Sequence, residues 1–172
     1  MSSLTPDSNS LVRSPGGGTR ASIRRFETFV QVRGEATGGA VALLEHQLAI
    51  GTLAMPLHRH EATEVLHVLD GKLSVQIGRA TIHVVPAGAS IVIPGGVTHT
   101  LWVGPDEPRP ARFLAVVTPP GLERYYEDVS SVTSADGPLD IARVLAASAA
   151  HGVDVDMESI FDLIERHTLQ LA

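Results

Sequence analysis

Between Arg20 and Pro120 the chain is a succession of short apolar runs, each broken by glycine, proline or aspartate, and this rhythm predicts strands. Strands are expected at Ser22–Val32 and Ala40–Ile50, joined through Gly34 to Gly39. In the second of them Val41, Leu43 and Glu45 alternate with Ala42, Leu44 and His46, the pattern of a sheet with two unlike faces. Val65-Leu66-His67-Val68-Leu69 is β-branched and aliphatic, and Asp70-Gly71 is a hairpin signal ahead of a strand at Lys72–Ile77. Further strands are expected at Ala80–Val85, Ala89–Ile93, Thr98–Val103 and Ala111–Val117. After Pro119-Pro120 the texture changes. Leu122–Val129 reads as a short helix, and Pro138–His151, with proline near its first turn and Gly152 at its end, as a second. A third starts near Asp156, with Ile160, Phe161, Leu163 and Ile164 as its apolar stripe. Residues 1–20, rich in serine, proline and glycine, read as a flexible arm, residues 21–120 as an all-β body, and residues 121–172 as a C-terminal helical extension packed on that body or on a partner subunit.

Within this pattern His58, His60, Glu64 and His99 stand at spacings that suit a metal site. Successive side chains of a strand point to opposite faces, so His58 and His60 share one face, and Glu64 shares it where the run stays in phase through a bend at Glu61–Thr63. On a helix the same histidine pair would lie roughly 200° apart around the axis and could not meet one ion. The fourth donor comes from Gly88–His99, where an apolar strand runs into Pro94-Gly95-Gly96. Proline fixes φ there and both glycines permit positive φ, so the turn is expected to return Thr98–Val103 antiparallel and bring His99 beside the first three donors. Imidazole and carboxylate together suit one divalent transition metal, and the spacing leaves Fe, Mn, Ni, Cu, Co and Zn open. The other histidines are expected elsewhere: His67 and His83 on an outer face, His46, His151 and His167 at the surface or the core edge.

Composition narrows the classes. The chain has 172 residues, 44% of them apolar, the size and content of one domain with one core. It has no cysteine, which excludes disulfides and thiolate ligands and leaves nitrogen and oxygen donors. A net charge of −6, with no basic run longer than Arg24-Arg25, argues against a nucleic-acid surface. Neither a membrane-spanning segment nor a secretion signal is read, so the expected setting is cytoplasmic, without a membrane partner. The expected partners are a small-molecule substrate and, because open strand edges invite pairing, a second copy in a homodimer.

The stretch Gly51–Gly71, with its glycine, His-x-His, three residues, glutamate, six residues and glycine, resembles the first motif of the cupin superfamily. Gly88–His99, with its glycine, five residues, Pro-x-Gly, two residues and histidine, resembles the second. The first glycine stands one residue further from the histidine than is usual, and Val103 occupies a position where asparagine is common. The resemblance implies a single-domain cupin: a jelly-roll-like double-stranded β-helix barrel, with His58, His60, Glu64 and His99 as ligands of one metal. It implies an inward wall that includes Leu66, Val68, Leu73, Val75, Ile77, Ile91, Ile93 and Leu101, with Met55 near the mouth. Of these, Met55, Leu66, Val68, Val75 and Leu101 are the expected substrate pocket, whose apolar character suits an aromatic or enolisable substrate. The flanks Arg33–Ala40 and Val117–Tyr126 are similar to those of quercetin dioxygenase-like cupins. That implies a metal-dependent dioxygenase with Glu64 as candidate base. A metal-dependent isomerase or polyketide cyclase-type enzyme, and a non-catalytic small-molecule-binding cupin, are the alternatives.

Overall fold

The computed structural model of the chain describes residues 12–14, 17–133 and 138–172. Residues 1–11 and 15–16 of the expected arm lie outside these. The first strands in chain order are β1 (Thr19–Arg20), β2 (Phe26–Val32), β3 (Ala42–Leu48), β4 (Thr52–Leu53), β5 (Leu57–Arg59) and β6 (Thr63–Asp70). They are followed by β7 (Lys72–Ile77), β8 (Thr81–Pro86), β9 (Ser90–Ile93), β10 (His99–Val103) and β11 (Ala111–Thr118). Three helices, α1 (Leu122–Val132), α2 (Ile141–Ala150) and α3 (Ser159–His167), alternate with two late strands, β12 (Asp154–Asp156) and β13 (Gln170–Leu171). Among the described residues no helix is long and apolar enough to cross a membrane.

The strands form two facing sheets, the double-stranded β-helix expected from the sequence. One runs β1-β2-β3-β11-β6-β9. In the other, β10 pairs with β7, which carries β8, and along its opposite edge with β4 and β5. Period-two alternation fills the space between the sheets. On β11 Ala111, Phe113, Ala115 and Val117 are buried, and on β6 the same holds for Glu64, Leu66 and Val68. A second, smaller core lies on the other side of the β4–β10 sheet, where Leu163 of α3 and Leu169 pack on Leu53, Leu57 and Trp102.

Some expectations change. The extension is not only helical: β12 pairs with β5 and β13 with β4, so they cover an edge that would otherwise expose unpaired backbone. Phe161 leaves the expected stripe and is 81% exposed, because Ile160, Leu163 and Ile164 define one face of the helix and Phe161 sits a quarter turn away. The expected arm ends in structure, with Thr19 and Arg20 paired to Val30 and Phe29. α2 begins at Ile141 rather than Pro138 because the Asp140 side chain accepts the Arg143 N–H at 3.1 Å and caps it.

His46 is not at the surface or the core edge. It follows Ala42 and Leu44 on the buried face of β3, is 1% exposed, bonds Thr28 Oγ1 through Nδ1 at 2.9 Å, and stacks on Phe26 with ring centroids 4.9 Å apart. Burial pushes its pKa down to about 4, against a smaller upward pull from Glu64. The unfolded chain therefore binds a proton here between about pH 6.5 and 4 that the folded chain refuses, and stability falls as pH drops through that window. The loss amounts to about 3 kcal/mol. His46→Phe is expected to flatten this part of the stability–pH curve, measured by urea unfolding of metal-free protein; an unchanged slope would place the titration elsewhere.

The Pro94-Gly95-Gly96 turn does not fold β10 back on β9. β9 pairs with β6 in one sheet and β10 with β5 in the other, so the turn carries the chain across the sandwich. What holds it is the bend between β5 and β6: the Gly96 N–H donates to the His60 carbonyl at 2.7 Å and the Gly95 N–H to Thr63 Oγ1 at 3.1 Å. Only Gly96 has a positive φ, of 77°. Gly95 is required for closeness, since a Cβ there would stand 2.1 Å from the Glu61 carbonyl oxygen. Gly95→Ala is therefore expected to cost about 3 kcal/mol through overpacking. Gly96→Ala, which meets open space, is expected to cost about 1 kcal/mol through its left-handed backbone alone. Chemical unfolding of both variants checks the order, and equal losses would refute it.

Candidate metal centre

Two crossings of the sandwich set the site. β5 and β6 belong to different sheets, so His58 and His60 approach from one side and Glu64 from the other. β10 lies directly beside β5 with His99 opposite His58. The three histidines each offer a ring nitrogen, and these nitrogens lie within 4.8 Å of one another. Glu64 Oε2 lies 3.5 Å from His60 Nε2 and 3.3 Å from His99 Nε2. All four side chains are buried, His99 most completely at 1% exposure.

Backbone carbonyls fix the chemistry of the rings. His58 Nδ1 bonds the Pro56 carbonyl at 2.9 Å, His60 Nδ1 the Ala62 carbonyl at 3.0 Å, and His99 Nδ1 the Val97 carbonyl at 2.8 Å. A carbonyl only accepts, so each Nδ1 carries the proton and donates it. In the neutral ring the other nitrogen, Nε2, is then a bare lone pair. Burial, with His99 and His60 adding to it, pushes the His58 pKa down to about 3, so this ring is neutral at any ordinary pH. Burial raises the Glu64 carboxyl; the opposing downward pull of His60 and His99 requires protons on their Nε2 atoms, so with those nitrogens bare it is a cation at the centre that keeps Glu64 ionised.

The result is a cluster of acceptors without donors. Among the described residues, His99 Nε2 is buried with no hydrogen-bond partner. Glu64 Oε2 faces two imidazole nitrogens whose protons are on the far side of their rings. Packing lone pairs and a negative charge together away from water is costly unless a cation lies among them. The donor set fits a divalent transition metal: neutral imidazole nitrogen, pre-set in its metal-binding tautomer by a hydrogen bond behind each ring, beside a carboxylate. His58, His60 and His99 form a group that can hold such an ion.

Beyond the centre lie residues that the sequence reading did not place. His46 of β3 and Tyr126 of α1 pack against each other with ring centroids 5.2 Å apart. Tyr126 is 8% exposed, and burial together with the Glu64 charge pushes its pKa well up, so it keeps its proton. The signal for His46 was its phase with Leu44 on β3; nothing in the sequence places Tyr126, since the packing of α1 over the sandwich end decides it. α1 is fixed there by Glu123, 2% exposed, which accepts the Gly34 N–H at 3.1 Å and the Gly121 N–H at 2.7 Å, and by ion pairs Arg33–Glu127 and Arg124–Glu35.

Between α1, α2 and this end of the sandwich is an apolar chamber of about 60 Å³. Of the expected pocket residues, Met55 lines it, as do Phe26 and Tyr126. Leu66, Val68, Val75 and Leu101 instead pack in the core between the sheets, at 1%, 0%, 0% and 7% exposure. Of the remaining histidines, His67 lies on the outer face of β6 with Nδ1 2.9 Å from Ser90 Oγ, His83 is exposed, His151 meets Asp128 Oδ2 at 2.7 Å, and His167 stacks on Trp102.

Comparison with known proteins agrees with this architecture. Residues 44–117 match the model of the cupin domain. No curated protein sequence matches the chain. A variant of the oxalate decarboxylase of Bacillus subtilis is 20% identical with a TM-score of 0.52, over 63% of this chain and 30% of that one. A polyketide cyclase from Streptomyces resistomycificus is 25% identical with a TM-score of 0.48, over 62% of this chain and 70% of that one. A DMSP lyase from Ruegeria pomeroyi is 21% identical with a TM-score of 0.47, over 54% and 46%. The strand order, the two facing sheets and the matched segment agree on the fold: residues 44–117 are similar to a cupin domain and lie within a cupin-like double-stranded β-helix, which is followed by a C-terminal extension of helices and strands.

Proposed function

We propose that this protein is a metal-dependent enzyme in which His58, His60, Glu64 and His99 hold one divalent transition metal, and that it acts as a dioxygenase on a small, largely apolar, enolisable substrate. The observation that carries the reading is the convergence of three imidazole nitrogens within 4.8 Å, each turned to its unprotonated side by a backbone carbonyl, beside the Glu64 carboxylate. Bound there, the ion supplies Lewis acidity for an oxygen-bearing substrate and, if redox-active, a place for dioxygen.

The chain's own residues supply the rest. The three imidazoles are held against the fixed backbone at Pro56, Ala62 and Val97, so little reorganisation is needed when charge develops nearby. Glu64 is the proton acceptor: its carboxylate sits inside the buried centre and, beside the ion, is unprotonated, as a base must be. Tyr126, protonated and facing the chamber, is placed to orient the substrate's polar end. The apolar lining favours a ligand body that is itself apolar.

His58→Ala and His99→Ala are expected to abolish metal retention, measured by plasma mass spectrometry on anaerobically purified protein; wild-type metal content in either variant would overturn the assignment. Glu64→Gln is expected to keep part of the metal yet slow turnover by about a hundredfold or more, the range of a lost general base. The assay is oxygen uptake with flavonol-like and dicarbonyl compounds. Full activity of the zinc-loaded protein without oxygen uptake would replace the dioxygenase by an isomerase or cyclase.

A further inference from the structure

α2 is apolar along most of its length, yet among its residues only Ser148 is buried. Its inner side presents Val144 and Leu145 to the chamber, across from Phe26, Met55 and Tyr126. The helix is not loose for want of anchors. His151, just past the end of α2, meets Asp128 of α1 at 2.7 Å, while the buried Ser148 donates to the Val144 carbonyl within α2. A helix tied down in this way would be expected to close on the body beneath it, because each unfilled space forfeits dispersion contacts on its walls. Here the space stays open. Water is a poor filler, since it needs two to four polar partners and the walls are almost wholly hydrocarbon.

We propose that this chamber is a binding site for an uncharged apolar group no larger than a single ring or a branched alkyl chain. At about 60 Å³ it accepts about four to six water-sized centres, which sets that upper size. It disfavours a charged ligand, because among the described residues no ionisable side chain other than the tyrosines lines it. Its wall includes Pro56, whose carbonyl holds His58, and Tyr126, which feels the Glu64 charge. A ligand seated here with its reacting end toward Pro56 and Tyr126 would direct that end to the histidine centre. The direction of that reacting end rests on the proposed metal centre; the apolar binding does not.

Fluorobenzene, observed by ¹⁹F NMR with metal-free full-length protein, is the probe. Wild type is expected to broaden and shift the resonance, with nuclear Overhauser contacts to the methyl groups of Val144 and Met55. Leu145→Trp and Val144→Trp fill the space and are expected to weaken binding at least tenfold. Ile82→Trp, on the exposed face of β8, leaves it unchanged. His58→Ala is expected to bind fluorobenzene as wild type does, so a failed metal assignment and a failed chamber are told apart. An unaffected resonance with wild type, contacts to methyl groups elsewhere, or undiminished binding by folded Trp variants would overturn the proposal. Because the contacts are read on wild type, the test stands even where a Trp variant does not fold.

Discussion

Three imidazole nitrogens stripped of their protons and an ionised carboxylate, held together out of water, are the constraint around which this molecule is built. The arrangement is unfavourable by itself, and the fold imposes it from several directions at once. Carbonyls at Pro56, Ala62 and Val97 each accept a hydrogen bond from the Nδ1–H at the back of a ring. β5 and β6 deliver their donors from opposite sheets, and the glycine turn before His99 grips the bend between them through two backbone N–H donors. Binding energy of an ion to such a centre is in part energy of folding, because the unfolded chain has no such site.

The extension contributes in two ways that its helical texture conceals. Its strands β12 and β13 complete the edge formed by β5 and β4, and β12 sets Val155 beside His58. Its helices close one end of the sandwich, α1 by ion pairs and by the buried Glu123, α2 by lighter ties over an apolar chamber. Stability is thus graded: a tightly packed two-sheet core, then a firmly docked helix, then a half-buried one. Segments of low burial are where proteins open locally, and α2 has that character.

Much of this was legible in the sequence because the physics that governs it is local. Period-two alternation, turn residues and the His-x-His spacing locate the strands and the four donors, since side-chain direction in a strand follows from the backbone alone. What was missed depends on pairing. Whether β10 returns beside β9 or crosses to β5 is decided by hydrogen bonds between Gly96 and His60 and between Gly95 and Thr63, partners far apart in sequence. Alternation says which face is inward and not where that face is already filled, and Leu66, Val68, Val75 and Leu101 pack in the core between the sheets. The burial of His46 is written in its phase with Ala42 and Leu44 along β3.

Long-range ¹H–¹⁵N correlation spectra of the histidine rings in metal-free protein at neutral pH test the central claim most directly. The account predicts that His58, His60 and His99 each carry the proton on Nδ1, with Nε2 unprotonated, and that one equivalent of a diamagnetic divalent metal shifts all three Nε2 resonances together while leaving the Nδ1 protons in place. A proton on Nε2 of these rings, or doubly protonated imidazolium at this centre, would contradict it.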